Sequence, residues 1–182
     1  MQAFKFNDPL NAVHSVIAEG ALLVFNERTR EIEAFGTVQN LQAGRTSAWS
    51  DILTGGRHYL VIFFDLLHLN GQNLTFKPLN ERRKLLKAIL NPIPNYIALT
   101  GISTVAFGKG SDEGQRKLRK LYAKAVVDRM EGLIIKNTAA PYLPGNRSEW
   151  LKLKKDYIEG FGDTAEFAVI GLSYGKSNWS QK

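Results

Sequence analysis

Lys152 and Lys154 stand two residues apart in WLKLKKDY (Trp150 to Tyr157), with Arg147 just ahead of them. The stretch alternates: Leu151 and Leu153 point one way, while Trp150, Lys152 and Lys154 point the other. That period of two reads as a strand with one apolar and one cationic face. Two lysines at i and i+2 on a strand lie roughly 6.6–6.8 Å apart. Their repulsion is about 2.4 kcal/mol at an effective dielectric near 20, and about 0.6 kcal/mol in bulk water. By itself the pattern fits a solvated edge whose lysines discourage aggregation. It also fits a partly enclosed pair that holds a polyanion, either a triphosphate or a nucleic-acid backbone.

The elements that must position this pair alternate without a regular strand–helix–strand beat. AVHSVIAEGALLVF (Ala12 to Phe25) reads as a buried strand with one carboxylate, Glu19, at a kink beside Gly20. A polar turn follows, and Glu31 to Val38 returns as a short partner strand. Residues 40–56 read as a connection, with a short helix around Ala48 to Leu53. HYLVIFFDLLHL (His58 to Leu69) is a near-continuous apolar run carrying one acid, Asp65, as expected of a strand covered on both faces. Asn70-Gly71 is a tight-turn dipeptide. Leu79, Arg82, Arg83, Leu86 and Leu90 then show amphipathic-helix spacing before Asn91-Pro92 stops it. Tyr96 to Thr104 reads as a strand. A second helix is capped by Ser111, with Leu118, Leu121, Tyr122, Ala125 and Val126 along one stripe. Met130 to Lys136 is a short strand with Glu131 at its start. After WLKLKKDY come a Gly160–Gly162 hinge and a strand over Glu166 to Leu172. The fold class is therefore α+β.

A chain of 182 residues with 44% hydrophobic residues suits one domain, or one domain plus part of another. The net charge of +7 and pI near 9.6 favour an anionic partner, nucleic acid or nucleotide before membrane. No apolar run approaches a membrane span, and the first residues carry no secretory apolar region. Zero cysteines exclude disulfides and thiol chemistry within these residues, and the three histidines lack metal-ligand spacing. These features imply an intracellular protein.

FFDLLHLNG (Phe63 to Gly71), EGLIIK (Glu131 to Lys136) and WLKLKKDY, in this order, resemble motifs IIIa, IV and V of the nucleotidyltransferase superfamily, and within it of the ATP-dependent DNA ligases. PLNERRKLL and KKDYIEGFGDTAEFAVIGLSYGK extend the resemblance. It implies an adenylation domain of antiparallel sheets with flanking helices over residues 1–160, and the beginning of an OB-fold domain over residues 161–182. The implied activity is sealing of nicks in double-stranded DNA through enzyme-AMP and DNA-adenylate intermediates. ATP and Mg2+ would be the cofactors. The protein would act as a monomer, in the nucleus if eukaryotic and otherwise in the cytoplasm.

By residue, the resemblance makes Glu131 the acid that assists a divalent metal at the phosphates. Lys152 and Lys154 become the catalytic phosphate contacts. Phe64 becomes the aromatic that stacks on adenine, although core packing explains a phenylalanine there equally well. Lys136 and Arg147 are further phosphate contacts. Glu19 is the candidate for the acid near the ribose, if the alignment shifts by one residue; otherwise Ala21 stands at that place. Asp65 either pairs with a base or orients a backbone turn. The K-x-D-G motif that carries the nucleophilic lysine in this family does not occur, so the chain is expected to be a ligase fragment, inactive alone. A catalytically dead nucleotide- or DNA-binding module is the alternative reading, and an RNA ligase or capping-type nucleotidyltransferase is another.

Overall fold

β1 (Val16–Asn26) and β3 (Arg57–Leu69) are the two long strands of the computed structural model, and they pair antiparallel along their whole length. The structure describes residues 3–6, 12–33, 37–38, 55–108, 112–128, 130–145, 148–154 and 171. The expected helix around Ala48 to Leu53, Ser111, Arg147, and the hinge, strand and OB-fold expected beyond residue 160 lie outside these, apart from Gly171. The β1–β3 ladder slips between Ile17 and Ala18 and again between Glu19 and Gly20. Phe64 is left unpaired at the second slip. Gly20 suits the tight approach there, because an added Cβ would lie 3.2 Å from the Ile62 carbonyl oxygen.

β2 (Glu31–Ile32) pairs with the far end of β1 and is shorter than the return strand expected over Glu31 to Val38. β4 (Gln72–Asn73) follows the Asn70-Gly71 turn, where both residues have positive φ (49° and 83°), the conformation a two-residue hairpin needs. β5 (Ile97–Leu99) runs parallel to β3 against Val61 to Phe63. It is much shorter than the strand expected over Tyr96 to Thr104. The edge of β3 is already shared: β4 takes His68 and Leu69, and the carbonyl of Phe64 between them accepts from the Arg83 guanidinium at 2.7 Å.

α1 (Leu79–Ile89) packs on β3 and buries Leu79, Arg82, Leu86 and Ile89. Its first N–H groups have no side-chain cap. Instead, Leu79 donates to the Ala140 carbonyl and Asn80 to that of Thr138, each at 3.0 Å, which satisfies groups that otherwise need capping. A core of Val13, Leu66, Leu74, Leu86 and Ile89 lies between helix and sheet, with Phe4 and Phe63 packed against it. α2 (Glu113–Val127) has Asp112, not Ser111, at its N-cap, and it packs against β6 (Gly132–Lys136). β6 pairs antiparallel with β7 (Trp150–Lys154) as a separate two-stranded sheet. Among the described residues no helix is long and apolar enough to cross a membrane.

Candidate nucleotide site

The β6–β7 register places Lys136 opposite Trp150, Ile134 opposite Lys152 and Gly132 opposite Lys154. These six residues therefore share one face, as the alternation in WLKLKKDY requires. The other face carries Leu133, Ile135, Leu151 and Leu153. This apolar face is not uniformly buried, for Leu151 is 61% exposed. Alternation assigns a side chain to a face but does not say whether a second layer covers that face.

At one end of the cationic face, Lys136 Nζ lies 3.5 Å from the Trp150 ring centroid and 4.5 Å from that of Phe64. The two rings meet edge to face at 6.3 Å. Phe64 thus leaves the large sheet at its irregularity and reaches the small one, rather than packing in the central core. Burial lowers the pKa of Lys136, and the nearby carboxylates of Asp65 and Glu19 partly offset that shift. A half-buried ammonium held between aromatic faces is a cation–π arrangement. At the other end, Lys154 Nζ pairs with Glu131 Oε2 at 2.6 Å, just ahead of β6. Four residue steps along the strand, about 13 Å, separate Trp150 from Lys154. Lys152 lies between them, exposed. Phe64, Glu131, Lys152 and Lys154 thus sit along one surface, with Phe64 and Lys136 at one end and the Glu131–Lys154 pair at the other.

Glu19 joins the aromatic end through Tyr142, whose hydroxyl donates to Glu19 Oε1 at 2.6 Å. Glu19, Pro141, Tyr142, Leu143, Glu149 and Trp150 line a cavity of about 130 Å³. Behind it stands a buried ion pair. Arg82 Nε and Nη2 donate to the two Asp65 carboxylate oxygens at 2.8 Å each. Asp65 Oδ1 also accepts from the Leu66 N–H at 2.8 Å, so this acid both pairs with a base and orients backbone. Arg83, its pKa lowered by burial, clamps the carbonyls of Phe64 and Thr100 at 2.7 Å each. Tyr142 and the Arg82–Asp65 pair were not singled out from the sequence. An arginine on the apolar stripe of α1 and a lone acid in an apolar strand were the signals for the pair. Tyr142 sits in a non-periodic loop that carries no such signal.

A family model of the ATP dependent DNA ligase domain matches residues 3–154, ending with β7. The chain belongs to the ATP-dependent DNA ligase family. It is 33% identical to DNA ligase 3 of Dictyostelium discoideum over 163 residues, 90% of this chain and 13% of that protein. Identity to DNA ligase 1 of Schizosaccharomyces pombe is 44% over 118 residues, covering 62% of this chain and 14% of that one. The DNA ligase of fowlpox virus is 32% identical over 168 residues, 91% of this chain and 27% of the viral enzyme. The chain thus spans a minor part of these ligases. Its fold matches a solved mycobacterial DNA ligase D, complexed with ATP and MES, with a TM-score of 0.50 at 23% identity. That match covers 76% of this chain and 38% of the other. The ligase resemblance carried by FFDLLHLNG, EGLIIK and WLKLKKDY therefore holds, and so does the α+β fold of sheets with flanking helices.

Proposed function

We propose that this chain is the nucleotide-holding part of an ATP-dependent DNA ligase that seals nicks in double-stranded DNA through enzyme-AMP and DNA-adenylate intermediates. The observation that carries this reading is the single face of β6–β7, aromatic at its Phe64–Trp150 end and ionic at its Lys154–Glu131 end. A nucleotide has the same polarity, with a flat base at one end and phosphates at the other. In this reading the base stacks at Phe64, with Glu19 beside it, and the phosphates lie against Lys152 and Lys154; Lys136, which the resemblance makes a phosphate contact, stands instead at the aromatic end over the Phe64 and Trp150 rings. Arg147 is a further phosphate contact in this scheme. Positioned cations stabilise the charge that spreads over a transferring phosphoryl group, which is the main work of such sites. The 182 residues contain no K-x-D-G, so none of their lysines is assigned as the nucleophile.

Among the described residues no group of three acidic or histidine side chains gathers to hold a metal. One carboxylate, Glu131, at the phosphate end nevertheless fits Mg2+, which keeps several waters and takes much of its coordination from substrate phosphates. When bound, the ion would neutralise phosphate charge there. We place the protein inside the cell, in the nucleus if eukaryotic and otherwise in the cytoplasm, acting as a monomer.

Calorimetric titration with ATP tests the site. Lys152→Ala and Lys154→Ala are each expected to weaken binding about tenfold or more, the worth of a charge-assisted hydrogen bond. Lys152→Ala should leave the melting temperature unchanged, because this side chain is exposed. Unchanged affinity in both variants would remove the lysines from the site.

Binding to nicked duplex should be dominated by counterion release. A plot of log affinity against log salt is expected to fall steeply between about 50 and 200 mM. A flat plot counts against a phosphate-tracking surface.

A further inference from the structure

Glu19 presents an acceptor that the described structure does not use. Its Oε1 takes the Tyr142 hydroxyl, while Oε2 is buried with no hydrogen-bond partner among the described residues. Burying a carboxylate oxygen without a partner costs about 1–3 kcal/mol or more. The neighbouring cavity of about 130 Å³ has room for more than one water, whose share of liquid volume is about 30 Å³. The unused acceptor therefore lies beside space for a donor-bearing group.

Tyr142 is fixed from several sides. Its N–H donates to the Thr75 carbonyl at 2.7 Å, its ring meets Trp150 edge to face at 6.1 Å, and the Arg82 guanidinium lies 5.8 Å from its ring centroid. The segment leading to it is docked on the first turn of α1 through Thr138 and Ala140. The phenol is thus a strut: it runs from the α1 side of the molecule to β1 and occupies one carboxylate oxygen, so that the other keeps its direction.

We propose that Tyr142 is a positioning residue of the nucleotide site, holding Glu19 so that its second oxygen accepts from the sugar hydroxyls of the bound nucleotide. The proposal rests on the nucleotide reading above and adds a residue to it. A carboxylate with one oxygen already committed offers a single directed acceptor. A neutral donor suits that site, whereas a phosphate would be repelled by Glu19 and Glu149.

The test compares ATP with 2′,3′-dideoxy-ATP, titrated into the 182-residue chain and its Tyr142→Phe variant. Wild type should prefer ATP over the dideoxy nucleotide by about tenfold, the worth of one buried hydrogen bond. Tyr142→Phe should lose most of that preference while binding the dideoxy nucleotide about as well as wild type does. The preference is a ratio within one variant, so a change in the folded fraction cancels. Equal loss for both nucleotides, or a preference kept intact, overturns the strut and leaves the nucleotide site standing. Absence of ATP binding by the wild type overturns both.

Discussion

Arg82→Ala is expected to destabilise the fold by about 3–5 kcal/mol, measured by urea unfolding, because it leaves a buried carboxylate without its cation. Asp65 is 0% and Arg82 1% exposed, so water cannot take the place of the missing guanidinium. The same guanidinium donates to the Lys77 carbonyl at 2.6 Å and lies 3.4 Å from that of Ala140, which ties the start of α1 to the loop that carries Tyr142. Loss of about a fifth or more of the stability of a typical domain would follow. Arg82→Lys should recover little, since one ammonium cannot reproduce the planar two-point fork. The informative control replaces both partners with apolar residues. Removing both charges should cost less than removing either one, the signature of a desolvated pair. If Arg82→Ala alone cost no more than about 0.5 kcal/mol, as a surface substitution does, the pair would have no structural weight.

Both members of that pair were visible in the sequence as anomalies, Asp65 in HYLVIFFDLLHL and Arg82 on the apolar stripe of LNERRKLLKAIL. Their pairing was not, because periodicity reports which face a residue takes and is silent on what covers that face. The same limit explains Leu151. Alternation put it opposite the lysines correctly, yet among the described residues no second layer buries it. The shared face of Lys136, Trp150, Lys152 and Lys154 follows from the period of two in two short strands, so most of the site's surface was legible. Its division into an aromatic end and an ionic end was not. That division depends on Phe64 standing unpaired where the β1–β3 ladder slips, and on Arg83 holding its carbonyl. The shortness of β5 has a related cause. Tyr96 to Thr104 has strand-forming residues, but propensity cannot show that β4 and Arg83 already occupy the rest of the β3 edge.

The position where one methyl group should do most harm to the site is Gly132. Its φ is +145°, a region that side-chain-bearing residues rarely adopt, and a Cβ there would lie 2.0 Å from the Leu153 carbonyl oxygen. The obstacle is backbone on the only strand paired with β6 among the described residues, so no flexible side chain can swing aside to relieve it. Gly132 faces Lys154 in the ladder and follows Glu131 directly, so displacement of β7 separates the Glu131–Lys154 pair as well. Backbone strain of about 1–3 kcal/mol and a steric cost of about 1–3 kcal/mol give about 2–6 kcal/mol together. Gly132→Ala is accordingly expected to lower the melting temperature and to abolish ATP binding in whatever protein stays folded. Gly145→Ala separates the two costs. That glycine also has positive φ, +75°, but nothing lies within 4 Å of an added Cβ. It should show the backbone term alone. If thermal melts found Gly132→Ala as mild as Gly145→Ala, the close approach of β6 to β7 would not be what holds Glu131 beside Lys154.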